Sequence, residues 1–332
     1  MPPTPDALYT HAAFDTLHNR LRVSGTLVAQ TALRIGAGRA SDVVGNDLPV
    51  LRDSRNRPFI PGASLKGTFR ARLEALIRTV ISTPPDVTFT QLDDLTETIQ
   101  RSDNDEESID EAIRQMSAHK AVLDFQQIED RTRAIGKFKQ EPSNRGITDA
   151  QMSQVIYRCS SLIDLTFGSP DLAGRIFFKD AQVNKDFWFE TFEVRNGVAI
   201  NRDTETVEGS LLYDYEVVSA GTRFDFALTL EHAADWQLGM VLLVLGGWQG
   251  DGVQIGGFRS RGLGYVMLTD VTYDYRVVRP GDVDSALRMI CDPETLASLG
   301  ILPDINPPDR VAWITAFRNQ LIALAQQETS DA

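Results

Sequence analysis

The sequence predicts an α+β fold built on a strand–helix–strand–strand–helix–strand core. Three observations lead there. Apolar residues alternate at Phe224, Phe226, Leu228 and Leu230, the period of a half-buried strand. Leu65, Phe69, Leu73, Leu76, Ile77 and Val80 recur every three or four positions, the period of an amphipathic helix. Glycine and proline break the chain between such stretches, as at Pro61-Gly62.

The elements follow in order. Arg22 to Gln30 is strand-like, with β-branched residues, and runs through Leu33 and Ile35 into a Gly-rich loop, Gly36 to Gly45. Leu48 to Ile60 holds two short extended pieces around a turn at Asp53 to Arg57. The helix after Pro61-Gly62 carries Lys66, Arg70 and Arg72 off its apolar stripe. Residues 82–152 form an acidic, mostly helical insertion, in which Asp103 to Glu107 reads as a solvated loop and Lys137 to Arg145 as a mobile one. Gly174 to Gln182 is a strand, and Phe187 to Val194, with alternating aromatics, is another. Asn196 to Val207 is polar and turn-rich, and Leu211 to Val218 returns, so 187–220 forms an extended hairpin. Asp235 caps a helix over Trp236 to Leu245, and a Gly-rich stretch, Gly246 to Gly264, leads into a last strand, Leu263 to Tyr275. Val283 to Gln327 reads as two or three short helices broken at Pro293, Pro303 and Pro307. With insertions set aside, this is the ferredoxin-like (RRM-like) βαββαβ unit, over 18–280, with a helical extension over 281–332. The chain holds no convincing internal repeat. Such folds host many functions, so the fold alone assigns none.

Bulk properties narrow the class. The chain has 332 residues, 42% hydrophobic and 24% charged, as in ordinary globular proteins. The longest apolar run, Met240 to Leu245, is too short to span a membrane, and Met1 to Asp15 lacks the apolar core of a secretory signal. Cys159 and Cys291 form no CxxC pair and fit a reducing cytosol, so a cytoplasmic location is expected. The four histidines (His11, His18, His119, His232) are scattered, and no structural zinc is expected. The net charge of −13 argues against a nucleic-acid binder, but its placement matters more. From Arg20 to Leu73 ten basic residues face three acidic ones, a net +7; from Pro84 to Asp130 thirteen acidic face three basic, a net −10.

Three segments carry chemistry: Leu33 to Asp53, Phe59 to Arg70, and Ile255 to Val266. In the second, a Pro-Gly turn opens a helix whose first-turn N–H groups, with Ser64 and Lys66, suit a phosphate; an ordinary helix start explains Gly62 equally well. In the third, Gly256, Gly257, Gly262 and Gly264 surround Arg259 and Arg261, a combination suited to close approach and to forked phosphate contacts. A turn-rich loop without ligand is the alternative. The GxGxxG spacing of a dinucleotide loop is absent.

Taken together, these segments resemble the RAMP superfamily of CRISPR proteins, in particular the Csm/Cmr-type backbone subunit of type III effector complexes. The matching stretches are Gly45-Asn46-Asp47-Leu48-Pro49-Val50-Leu51-Arg52-Asp53, Ile60-Pro61-Gly62-Ala63-Ser64-Leu65-Lys66-Gly67, and Gly256-Gly257-Phe258-Arg259-Ser260-Arg261-Gly262-Leu263-Gly264. Phe167-Gly168 and Gly174 to Ala181 add to the likeness. The acidic insertion and the helical tail depart from a minimal member. The resemblance implies a palm with a β-hairpin thumb that binds a guide crRNA and wedges into its duplex with target RNA. Partners would be other RAMP proteins and the large subunit of the complex, with no membrane. It makes Asp47 the catalytic residue of target cleavage, giving cyclic 2′,3′-phosphate and 5′-hydroxyl ends, with a divalent metal ion (Mg or Mn) held mainly by RNA. It places Arg34, Lys66, Arg70, Arg259 and Arg261 on the guide, with Gly36, Gly38, Gly62, Ser64, Gly256, Gly257, Ser260 and Gly262 alongside, and Ile200, Asn201 and Arg202 on the thumb. Asp42 is the nearest competitor of Asp47. The alternatives are a non-cutting structural subunit, a stand-alone RNA-processing endoribonuclease (which would need a histidine near the motifs) and a nucleotide-binding enzyme using the Gly-rich loop.

Overall fold

The computed structural model describes residues 14, 16–38, 47–81, 125–140, 148–158, 160–200, 203, 205, 207–302 and 309–330. In chain order the elements are β1 (Asn19–Ala29), β2 (Phe59–Ile60), α1 (Gly62–Val80), α2 (Phe125–Gln140), α3 (Asp149–Arg158), α4 (Leu162–Phe167), β3 (Ile176–Phe178) and β4 (Ala181–Gln182). They continue as β5 (Glu193–Ile200), β6 (Val207–Val217), β7 (Arg223–Glu231), α5 (Asp235–Gly250), β8 (Val253–Gln254), β9 (Tyr265–Val277), α6 (Val283–Ile290), α7 (Pro293–Ser298) and α8 (Arg310–Ser330).

The main sheet is antiparallel, in the order β3-β7-β1-β9-β8. β1 lies centrally, with Leu27 opposite Phe224 on one side and Leu268 on the other. Alternation sends Leu21, Val23 and Leu27 of β1, and Phe224 to Leu230 of β7, into one buried layer. A register shift between Ser24 and Thr26 marks a bulge in the pairing with β9.

Helices α1 and α5 cover that layer. The stripe Leu65, Phe69, Leu73 and Ile77 is fully buried, and the Phe69 ring lies 5.4 Å from those of both Phe178 and Trp248. Helix α8 packs across α5 at Gly239, where a Cβ would collide with the carbonyl oxygen of Trp313. Trp313, Phe317, Leu321 and Leu324 of α8 belong to the same hydrophobic cluster as β1. Among the described residues no helix is long and apolar enough to cross a membrane.

Several elements differ from the sequence expectation. The strand expected over Phe187 to Val194 begins only at Glu193; a 3-10 turn occupies Lys185–Phe187, and Phe189 is 80% exposed, so its aromatic alternation does not mark a buried face. Asn196 to Ile200 belong to β5 rather than to a turn. The segment Gly174 to Gln182 divides into β3 and β4, which pair in different sheets. Helix α5 runs five residues past Leu245 despite Gly246, Gly247 and Gly250, because Trp248 is held in the core. Asp235 is the first residue of that helix, not its cap; Gln237 Oε1 accepts the Ala234 N–H at 3.0 Å. Lys137–Gln140, expected as part of a mobile loop, close α2. Pro293 opens a helix, and α8 is 21 residues long rather than short.

Candidate nucleic-acid interface and carboxylate site

Residues 48–52 form a strip clamped on both sides. On one side Gly36 bridges Val50, Ala37 N–H donates to the Pro49 carbonyl at 3.1 Å, and Leu51 N–H to the Ile35 carbonyl at 2.8 Å. On the other, Leu48 pairs in parallel with Tyr215 of β6: its N–H reaches the Asp214 carbonyl at 3.2 Å, and its carbonyl accepts the Glu216 N–H at 3.1 Å. β6 pairs antiparallel with β5 as a two-stranded hairpin, Glu193 opposite Val217 and Asn196 opposite Asp214.

Asp47 is exposed at the start of this strip, and its Oδ2 accepts the Asp214 N–H at 3.2 Å. The neighbouring acid, Asp53, has a different task. Its Oδ1 accepts the N–H groups of Arg55 and Arg57, both at 2.9 Å, and its Oδ2 binds the Arg57 guanidinium at 2.6 Å. These bonds staple the Asp53–Arg57 turn, and the Arg57 partnership holds the Asp53 carboxyl below its ordinary range.

The third glycine segment meets the same hairpin arm. Arg261 donates to the Tyr213 hydroxyl at 2.5 Å, and the Tyr215 and Phe258 rings stand edge to face at 4.9 Å. Phe258 adopts a left-handed conformation (φ 57°), as do Gly256 and Gly262 (φ 85° and 81°), so the backbone folds tightly and turns Arg259, Ser260 and Arg261 outward. The Arg261 guanidinium lies 5.0 Å from the Phe258 ring centre. Its backbone N–H groups are less available than expected. Those of Gly257, Arg261, Gly262 and Gly264 donate to Arg34, Phe258, Arg259 and Ala32 carbonyls, so the side chains rather than a backbone cradle are offered to a ligand.

Three expected site residues are placed otherwise. Arg34 is 8% exposed and lies 5.2 Å from the Phe258 ring; burial lowers its pKa and nearby Glu216 opposes that. Its guanidinium supports the turn from beneath instead of facing solvent. Gly62 is buried, and its N–H, expected to face an anion, donates to Asp180 Oδ1 at 2.7 Å. A carboxylate of the chain itself therefore caps α1. Arg70 pairs with Glu74 at 2.7 Å and lies 3.8 Å from Asp164. Ser64 and Lys66 are half-buried, and burial, reinforced by Arg70, lowers the Lys66 pKa. Gly36 and Gly38 are exposed. Ile200 ends β5, while Asn201, Arg202 and the competing Asp42 lie outside the described residues.

The structure thus unites the first and third segments around β6, and sets the second against β3 and β4 on the far edge of the sheet. Residues 26–266 match the family model of the RAMP superfamily. The chain belongs to that superfamily. Among curated RAMP relatives, the protein named CRISPR system Cms endoribonuclease Csm3 from Mycobacterium tuberculosis is 45% identical over 60 residues, 18% of this chain and 25% of that protein. Its namesake from Methanothermobacter thermautotrophicus is 41% identical over 54 residues, 16% and 22% of the two chains. The one from Methanocaldococcus jannaschii is 40% identical over 60 residues, 18% and 24%. The chain spans about a quarter of the length of these curated relatives.

The residues that sequence reasoning missed in this RAMP chain lie on β6: Tyr213, Asp214, Tyr215 and Glu216. Their partners are far away in sequence, 167 residues between Asp47 and Asp214, and no local motif marks them. The only available signal was the hairpin itself, which placed this arm near a thumb. Among the described residues no group of three or more His, Cys, Asp or Glu is placed to hold a metal ion.

Proposed function

We propose that this RAMP protein is a crRNA-binding backbone subunit of a type III CRISPR effector and cleaves guide-paired target RNA at Asp47. The carrying observation is an exposed carboxylate, Asp47, that bonds to the same hairpin strand as the outward Arg259–Arg261 turn. On this reading the main sheet and its helices are a ferredoxin-like palm, and β5–β6 is the thumb. The exposed arginines contact backbone phosphate, while base pairing with the guide supplies sequence specificity.

A target nucleotide splayed by the hairpin would bring its 2′-hydroxyl in line with the adjacent phosphate. Asp47 would orient that hydroxyl and take its proton as the 2′-oxygen bonds to phosphorus. The 5′-oxygen leaves and gains a proton from solvent, giving a cyclic 2′,3′-phosphate and a 5′-hydroxyl. A lone exposed carboxylate fits a divalent ion held mainly by RNA oxygens, with Asp47 as the protein's share. Such an ion would supply positive charge beside the phosphate. One carboxylate is a small catalytic set, so turnover is expected to be slow.

The test uses the complex assembled with its guide and partner subunits. Asp47→Ala should abolish one cut, a loss of at least about 100-fold, with target affinity within twofold of the parent. Cleavage at the parental rate in that variant would leave the chain a structural crRNA-binding subunit.

A further inference from the structure

We infer that Glu216 is a positioning residue for Asp47, and that through it the hairpin arm sets the carboxylate for cleavage. This rests on the proposed role of Asp47. Glu216 sits on β6, two residues beyond Asp214, and is 7% exposed. Its Oε2 accepts the backbone N–H of Val50 at 3.0 Å and the guanidinium of Arg52. Its own N–H donates to the Leu48 carbonyl at 3.1 Å. One residue thereby grips the strip at positions 48, 50 and 52, immediately after Asp47. The Arg52 guanidinium is itself held 4.0 Å from the Phe192 ring, just before β5 begins. The segment that carries the carboxylate is therefore joined to β6 and to the residue that leads into β5.

The grip has the chemistry of a rigid clamp. A buried carboxylate with a backbone and a guanidinium donor makes charge-assisted bonds, stronger than neutral ones. Its loss would leave Arg52 and the Val50 N–H without this acceptor, and β6 would hold the strip only through the backbone bonds at Leu48. Displacement of the strip is costly for an in-line reaction, where a 1 Å error lowers the rate by about 100-fold. The hairpin that engages the duplex would thus also set Asp47, so cutting follows correct seating of the duplex rather than mere proximity.

The experiment compares Glu216→Gln, Glu216→Ala and Asp47→Ala in the assembled, guide-loaded complex. Glu216→Ala should lower the single-turnover cleavage rate by about tenfold or more, with target affinity within twofold of the parent. Glu216→Gln, which keeps an acceptor for Val50, should recover part of that rate. Hydrogen exchange of the backbone amides over residues 48–52 gives a readout that needs no cleavage, and exchange there should quicken in Glu216→Ala. Parental exchange over 48–52 in Glu216→Ala, or a parental cleavage rate in a complex whose Asp47→Ala form does not cut, overturns the inference. Should Asp47→Ala cut normally, the catalytic reading of Asp47 fails, and the clamp stands or falls on the exchange result.

Discussion

At Gly62 the glycine lets α1 begin against the Phe178 carbonyl, and Asp180 occupies the N–H at its head. At Gly256–Gly264 the glycines bend the backbone so that Arg259 and Arg261 stand in solvent beside β6. Both stretches present glycine beside a cation in the sequence. The first is closed by the chain's own carboxylate; the second stays open because its backbone groups are satisfied locally and its side chains turn outward. A glycine turn can offer its charge to a ligand only where the surrounding fold leaves that charge uncovered.

The largest effect that could break this contrast is at Gly62. Gly62→Ala should destabilise the fold by about 2–3 kcal/mol, seen as a lower melting temperature, because the added carbon meets a backbone oxygen. An unchanged melting temperature would mean that this helix start is as open as the other turn. Next comes RNA binding. Arg261→Ala should weaken guide-RNA affinity about tenfold and make its salt dependence shallower by about one unit of slope. Lys66→Ala, at a half-buried position in the first turns of the capped helix, should have a smaller effect on both. An equal or larger loss at Lys66 would reverse the ranking of the two regions.

The smallest effect concerns Asp53, in the turn that leads toward Gly62. Its folded pKa is depressed by Arg57. The stability it adds is therefore complete above its ordinary pKa of about 4 and is lost as pH falls through the lower folded value. Melting temperature followed from pH 5 downward (roughly one unit above the ordinary carboxylate pKa) should fall less steeply in Asp53→Asn than in the parent. Parallel curves would remove the Arg57 staple from the account.

Much of the main sheet and of its covering helices was legible because burial imposes a period. The alternating residues of β7 and the stripe of α1 from Leu65 to Ile77 enter the core, while Val80 at the end of that stripe is exposed, and the Asp53–Arg57 turn was visible from its residue types. Local signals failed where packing overrode them. Trp248 draws α5 through three glycines, and Phe187 and Phe189 mimic a strand although they are largely exposed. In the candidate site, Asp47, Arg259 and Arg261 stood out by motif. Arg34 and Gly62 were given ligand roles because the sequence cannot show that a side chain lies under a ring or that Asp180 sits over an N–H. Glu216 was invisible because its importance comes from pairing across the fold.

The contact at Gly239 bears on how this chain can be divided. The stretch after Val277 looks like a seam, since the sheet ends there and short helices follow. Yet α5 and α8 touch backbone to backbone, and Trp313 and Phe317 share one hydrophobic cluster with β1. A fragment trimmed at the seam would carry an oily stripe into water, so the final helix has to travel with the main sheet.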